Sequence, residues 1–348
     1  MRIIFLTLLI AVSAESADVP QFTELVFRVF LRENRIFDLL VSDDERQLYI
    51  ATEEGMKVFE DGVLKRVYSK SDGLKSEVIS FLTRDPEGKF LLGGSFSLAD
   101  KSCLFRLAGE TLTVWPEGKG VPSNVIKAVL FGRDMAVCCS FYQGLHVFDL
   151  TTGHFFPLNI GAVQGKYFVD MLEHNGYLYL AGKNDGLLRV LISKEALEQA
   201  VATGDPAAVA AVPIEIKELT EHTCRLLSNN TTCLAAVEEG LWIGTQGGAN
   251  SYTIKENIWK NYWDAMDNNF VSSIFPDDPY IWIGTQGGLA LRHQSQDKWW
   301  AFTMKNGLPS NVILRIRGSS NFVWMATEQG VVQVNKALFY RHLDESGK

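Results

Sequence analysis

The sequence predicts an all-β chain made of one repeated unit, and three observations carry that prediction. First, two segments are nearly identical: Leu241-Trp242-Ile243-Gly244-Thr245-Gln246-Gly247-Gly248 and Ile281-Trp282-Ile283-Gly284-Thr285-Gln286-Gly287-Gly288. A looser copy runs from Val323 to Gly330, and degraded copies continue backwards through Tyr179, Val137, Leu91 and Tyr49. The anchors at 49, 91, 137, 179, 242, 282 and 324 are spaced by 42, 46, 42, 63, 40 and 42 residues. Second, an asparagine stands thirteen residues before four of these anchors, as Asn124, Asn229, Asn269 and Asn311, and three of the four follow a serine. Third, each unit divides into four short apolar runs separated by Gly, Asp, Pro and Asn, as in Val271 to Phe275, Ile281 to Thr285, Leu289 to Arg292 and Trp299 to Thr303. Such runs read as strands a to d of an antiparallel sheet. Four strands at this period are the signature of a propeller blade. The fold class is therefore a seven-bladed β-propeller.

Taken in chain order, the first element is a signal peptide over residues 1–14. Arg2 supplies the positive start, Ile3 to Val12 the apolar stretch, and Val12-Ser13-Ala14 the small residues before a cut at Glu15. That stretch is too short to span a bilayer, which takes about 20 apolar residues. The mature chain, 15–348, is expected to be one domain, soluble in the periplasm or secreted. Phe22 to Leu31 reads as a further strand, within about 21–32. Pairing it with the last blade would remove an exposed edge, either by displacing strand d or by lying outside it. Seven units follow, the last expected to end in a strand at Phe339 to His342. The 63-residue spacing places an insertion at Ser193 to Val212, between strands c and d of the fourth unit. Glu195 to Val201 favours helix there and Gly204-Asp205-Pro206 breaks it.

The Trp-Ile-Gly-Thr-x-Gly-Gly motif, together with approaches such as Gly307-Leu308-Pro309-Ser310-Asn311, resembles the two-component regulator propeller repeat. The resemblance covers roughly residues 34–348, strong in units five to seven and weak in units one to four. It implies an exported propeller with a sensing or binding style, as in the periplasmic sensor regions of bacterial hybrid histidine kinases and in stand-alone exported propellers. No kinase or response-regulator segment accompanies the repeats, so the resemblance does not imply signal transduction by this chain itself.

Strands alternate in direction, so the d–a and b–c loops share one face, here the Ser-Asn face, and the insertion lies on the other. The repeated Trp, Gly and Asn residues have ready structural roles in interblade packing and tight turns. Binding is therefore sought where copies differ on the Ser-Asn face, at Glu53, Phe96, Phe141, Tyr142, Lys183, Asp185, Gln246, Gln286 and Gln329. Among the aromatics of strand d in units five and six, Trp259 and Trp299 are expected in the core. Trp263 and Trp300 are the candidates for the surface.

A formal charge of -8 and the absence of a Lys/Arg run exclude a nucleic-acid surface. The five cysteines form no CxxC pair, which leaves no zinc or haem signature; Cys224 and Cys233 are the one plausible disulfide. There is no Gly-x-Ser-x-Gly elbow, His-Glu-x-x-His or phosphate loop, so no cofactor, metal or catalytic residue is assigned. The first functional expectation is a non-enzymatic sensing or binding module for a glycan, a peptide or an exported protein. The second is an assembly scaffold docking through an outer edge or the insertion. The third is a propeller lyase or hydrolase with an axial site.

Overall fold

The computed structural model describes residues 27–346, apart from 33–34, 86–87, 89–90, 96–102, 117–121, 123–124, 133, 141–142 and 159. The signal-peptide segment and Phe96, Phe141 and Tyr142 lie outside the described residues. Seven four-stranded antiparallel sheets are present. Strand a of blades 1 to 7 is Ile36–Val41, Ile79–Arg84, Val125–Leu130, Phe168–His174, Thr231–Val237, Val271–Asp277 and Ile313–Gly318. Each strand a touches that of the next blade, and blade 7 touches blade 1, so the ring is closed around an axis.

Strand b is buried on both of its sides, because each sheet is sandwiched between two others. This explains the continuous apolar runs Met135–Ser140, Gly240–Thr245 and Tyr280–Thr285, buried at every residue. Strand d, at the rim, is the reverse: five of the six residues of Val63–Tyr68 are exposed. The described core consists of seven apolar clusters, one at each junction between consecutive blades. Trp242, Trp282 and Trp324 sit in the 5/6, 6/7 and 7/1 junctions.

Blade 7 takes its fourth strand from the other end of the chain. Phe27–Leu31 pairs antiparallel with Gly330–Asn335, from Phe27 opposite Val334 to Leu31 opposite Val331. Phe30 meets Phe59 and Trp324 edge-on, each at 5.1 Å, while Phe27 meets Phe302 and Phe339 on the other side of the sheet. The N-terminal segment thus takes the place of strand d.

The expected closing strand at Phe339 to His342 is instead part of a helix, Lys336–Ser346. Phe339 and Leu343 are both fully buried, at the i, i+4 spacing of one helix face. Asn335 Oδ1 accepts from the Leu338 amide at 3.0 Å and starts the helix. With the fourth-strand place already filled, this segment covers the 6/7 junction from the outside, its Phe339 ring 4.7 Å from Trp282.

The blade 4 insertion forms two helices, Lys194–Ala202 and Pro206–Ala210, capped by Ser193 and Asp205. Their apolar residues, Leu197 and Val209 among them, are buried in the 3/4 junction, and Lys194 lies 5.0 Å over Phe131. No described helix is long and apolar enough to cross a membrane.

Candidate functional site

Every strand a carries one register shift at the same place, two residues in from the Ser-Asn face. A bulge re-aims the residues beside it. The residues that follow the seven bulges are Asp38, Phe81, Lys127, Asp170, Cys233, Ser273 and Arg315. They form a ring around the axis. Strand a is also the inner edge of each sheet, and its backbone amides need acceptors. Asp38 accepts from Leu39 in its own blade and from Leu82 in blade 2, at 3.0 and 3.1 Å. Asp170 does the same for Met171 and for Leu234 in blade 5, both at 3.0 Å. Ser273 Oγ accepts from Ile316 in blade 7 at 2.9 Å.

Three cations join the ring. Arg317 donates to Asp38 at 2.8 Å across the 7/1 seam. Lys127 Nζ lies 3.9 Å from Asp38 and 3.7 Å from Asp170. Arg315 donates to the Ser272 carbonyl at 3.1 Å. Burial alone would raise the Asp38 pKa. Arg317, Lys127 and Arg315, together with the Leu82 amide, outweigh it and hold the carboxyl below its ordinary value. These residues line an axial cavity of about 390 Å3, whose wall also includes Val129, Leu172, Ala235 and Phe275.

The Ser-Asn face is shaped by the repeated threonine. In blades 1, 5, 6 and 7 its hydroxyl donates to the glycine carbonyl three residues on, at 2.8 to 2.9 Å. It also accepts an amide from within the same turn. Gly330, at φ 122°, shows why glycine is required there: a Cβ would stand 1.8 Å from the Leu31 carbonyl oxygen. Asn229 and Asn311 accept the amides of Glu221 and Met304, which is the turn role expected of them.

The sequence-predicted residues fall into two groups. Glu53 is tied to Arg35 at 2.8 Å, and Asp185 lies 3.8 Å from Lys166. Lys183 is exposed, with its ammonium 5.4 Å over Tyr167. Gln246, Gln286 and Gln329 are exposed, and their side chains make no hydrogen bond to any described residue. Trp263 is 56% exposed. It follows strand d of blade 5, against the turn that carries Gln246, so it opens on the Ser-Asn face. The same positions of blade 6 carry Gln286 and Thr303, and the next residue, Met304, is 58% exposed.

Trp300 is less exposed than expected: it is half-buried, 6.2 Å from Tyr280 and covered by Lys298 at 4.8 Å. The other aromatics of the set pack inward. Trp259 stacks on Tyr252, and Trp242 on Tyr262, while the buried Arg292 lies 5.0 Å from Tyr262 and 5.8 Å from Trp299. Cys224 and Cys233 are not bonded to each other; both are free thiols, and burial pushes Cys233 up to about 12. Among the described residues no group of three or more His, Cys, Asp or Glu is placed to hold a metal.

The charged ring was missed by the search for varying loop residues. Its signal lay in the repeat itself: at one strand position, copies otherwise matched in register carry Asp, Lys, Asp, Ser and Arg.

No family model matches the sequence, and no curated protein matches it. Solved structures do. The extracellular domain of BT3049, a Bacteroides thetaiotaomicron protein assigned to the hybrid two-component systems, superposes with a TM-score of 0.67 at 17% identity over 87% of this chain. The extracellular domain of BT4673 from the same organism gives 0.65 at 17% identity over 88%. This chain spans 40% of the length of each of those two. The computationally designed protein Ika8 gives 0.56 at 12% identity, with 98% of its own length covered. At these identities the likeness establishes the propeller fold.

Proposed function

We propose that this chain is an exported, non-catalytic recognition propeller whose Ser-Asn face binds a polar ligand, a glycan or peptide, with Trp263 as its stacking platform. The observation that carries this reading is the placement of Trp263. A large aromatic is left more than half exposed against the turn that carries Gln246, where blade 6 has the small Thr303 against the turn of Gln286. A flat apolar ring flanked by neutral amides suits a sugar face or a peptide side chain with polar edges. The likeness to extracellular domains of two-component systems supports a sensing role outside the cytoplasm. Residues 1–14 would direct export and be removed in the course of it. The enzyme reading has less support: the cations around Asp38 keep it ionised, the opposite of a proton donor near neutral pH.

The reading is tested by titrating the chain, from residue 15, with oligosaccharide and peptide panels while following tryptophan fluorescence. Trp263→Ala is expected to weaken the bound member roughly tenfold, the scale of one lost aromatic contact. Equal binding by wild type and variant would remove Trp263 from the site. A second reading rests on the outer strand of blade 1, where Val63, Leu64 and Val67 are exposed. It predicts capture of another exported protein, weakened by Val63→Asp and indifferent to Trp263→Ala.

A further inference from the structure

We infer that the axial cavity is a binding site for a small monocarboxylate, seated on the charged ring near the Ser-Asn face. The charge count is the first ground. The wall carries Lys127, Arg315 and Arg317 against Asp38, Asp170 and Glu173; with Glu173 paired to Lys194, the other five leave one positive charge in excess. Glu173, also on the wall, is occupied at the far end of its strand: it accepts from the Gly176 amide at 2.9 Å and lies 3.7 Å from Lys194. Arg317 is committed to Asp38, and Lys127 sits between the two aspartates. Arg315 has carbonyl partners, and no described carboxylate lies within ion-pairing distance of it.

The second ground is the gap in the ring's own pattern. Asp38, Asp170 and Ser273 each accept the inner-edge amide of the following blade. The corresponding residues of blades 2 and 5 are Phe81 and Cys233, which offer no such acceptor to the equivalent amides of Ala128 and Ile274. Cationic side chains and inward amides together make a concave donor set for an anion. The third ground is size. About 390 Å3 exceeds what an inorganic ion needs, and the wall below the ring is apolar at Val129, Leu172, Ala235 and Phe275. One carboxylate balances the charge, a dianion would overshoot it, and the apolar wall receives the ligand's body. This inference does not rest on the reading of the Ser-Asn loops.

The test is calorimetric titration and thermal unfolding of the full mature chain with sodium D-glucuronate, sodium propionate, D-glucose and sodium sulfate. Glucuronate or propionate is expected to bind and raise Tm, glucose to do neither, and sulfate to bind more weakly than the monocarboxylate. Arg315→Gln should weaken carboxylate binding roughly tenfold, the effect of one lost charge-assisted bond. Cys233→Asp should weaken it at least as much, because it supplies the missing acceptor and cancels the excess charge. Trp263→Ala should leave it unchanged, which separates this site from the loop site. Three results would overturn the inference. One is wild type that prefers neither carboxylate over glucose. Another is tighter binding of sulfate than of either carboxylate. The last is a folded Cys233→Asp protein that binds carboxylate as wild type does.

Discussion

Asp38 shows how much one buried side chain can hold. Its carboxylate accepts amides from blades 1 and 2, pairs with Arg317 of blade 7, and lies within reach of Lys127 of blade 3. Asp38→Asn keeps the shape but leaves the Arg317 charge without its carboxylate and Lys127 with Asp170 alone, in a partly desolvated place. The expected loss is about 3 kcal/mol in urea unfolding, at the scale of breaking a buried pair from one side. A variant within about 0.5 kcal/mol of wild type would show that solvent in the channel does the same work. The pH dependence follows from the sign of the shift. The folded pKa is below the ordinary 3.8, so the carboxylate's stabilisation is complete above the unfolded value and is lost as pH falls through the folded one. Wild type should therefore lose stability steeply below about pH 4, and the variant less steeply. Lowered pKa values at the exposed Asp61 and the half-buried Asp72 act in both proteins and cancel in the comparison.

At the scale of single elements, the strands were legible because a blade presses the same requirement on each copy. Strand b must be apolar on both sides, and its terminal threonine and the following glycine must close one turn geometry. Ile281 to Thr285 could be read almost residue by residue. The C-terminal element was misread for an equally physical reason. Phe339 and Tyr340 look like a strand where six earlier units have one, and nothing local says that Phe27–Leu31 has already taken the place. The helix is fixed by contacts made elsewhere. Tyr340 donates to Asp277 at the end of strand a of blade 6, accepts from Trp282 Nε1 at 3.0 Å and stacks on Tyr280 at 4.4 Å, while Lys336 holds the other Asp277 oxygen. Burial and the facing Asp277 push the Tyr340 hydroxyl well above its usual range, so it stays a donor. Tyr340→Phe should cost about 1–3 kcal/mol, read as a lower denaturant midpoint with unchanged slope, because it leaves the buried Trp282 donor unpaired. No change in midpoint would mean the helix is held by Phe339 and Leu343 alone.

The whole molecule is where sequence reading stopped. Arg317 and Asp38 are 279 residues apart and become partners only when the ring closes. The loop candidates could be chosen blade by blade, but a ring of charges belongs to no single blade. The same closure defines where the molecule should open. Six blades are continuous hairpins of consecutive strands, whereas blade 7 is completed by a strand from the opposite terminus. Across the 7/1 seam the polar links among the described residues include Arg317 to Asp38 and the bonds from Asn321 and Ser319 to Glu45, the Asn321 bonds being exposed and so worth little. The apolar links are Phe30 with Phe59, and the cluster around Trp324. Local opening is drawn from the least supported unit. Hydrogen exchange of the native protein should therefore release the amides of Phe27–Leu31 and of their partner Gly330–Asn335 before those of Gly240–Thr245 and Gly248–Thr253 in blade 5. Asp38→Asn should lower protection further at the seam and leave blade 5 nearly unchanged. Uniform protection around the ring, or earliest exchange in another blade, would show that the N-terminal strand is as firmly held as a covalently continuous one. Closure would then lie in the apolar junctions rather than in the seam's polar bonds.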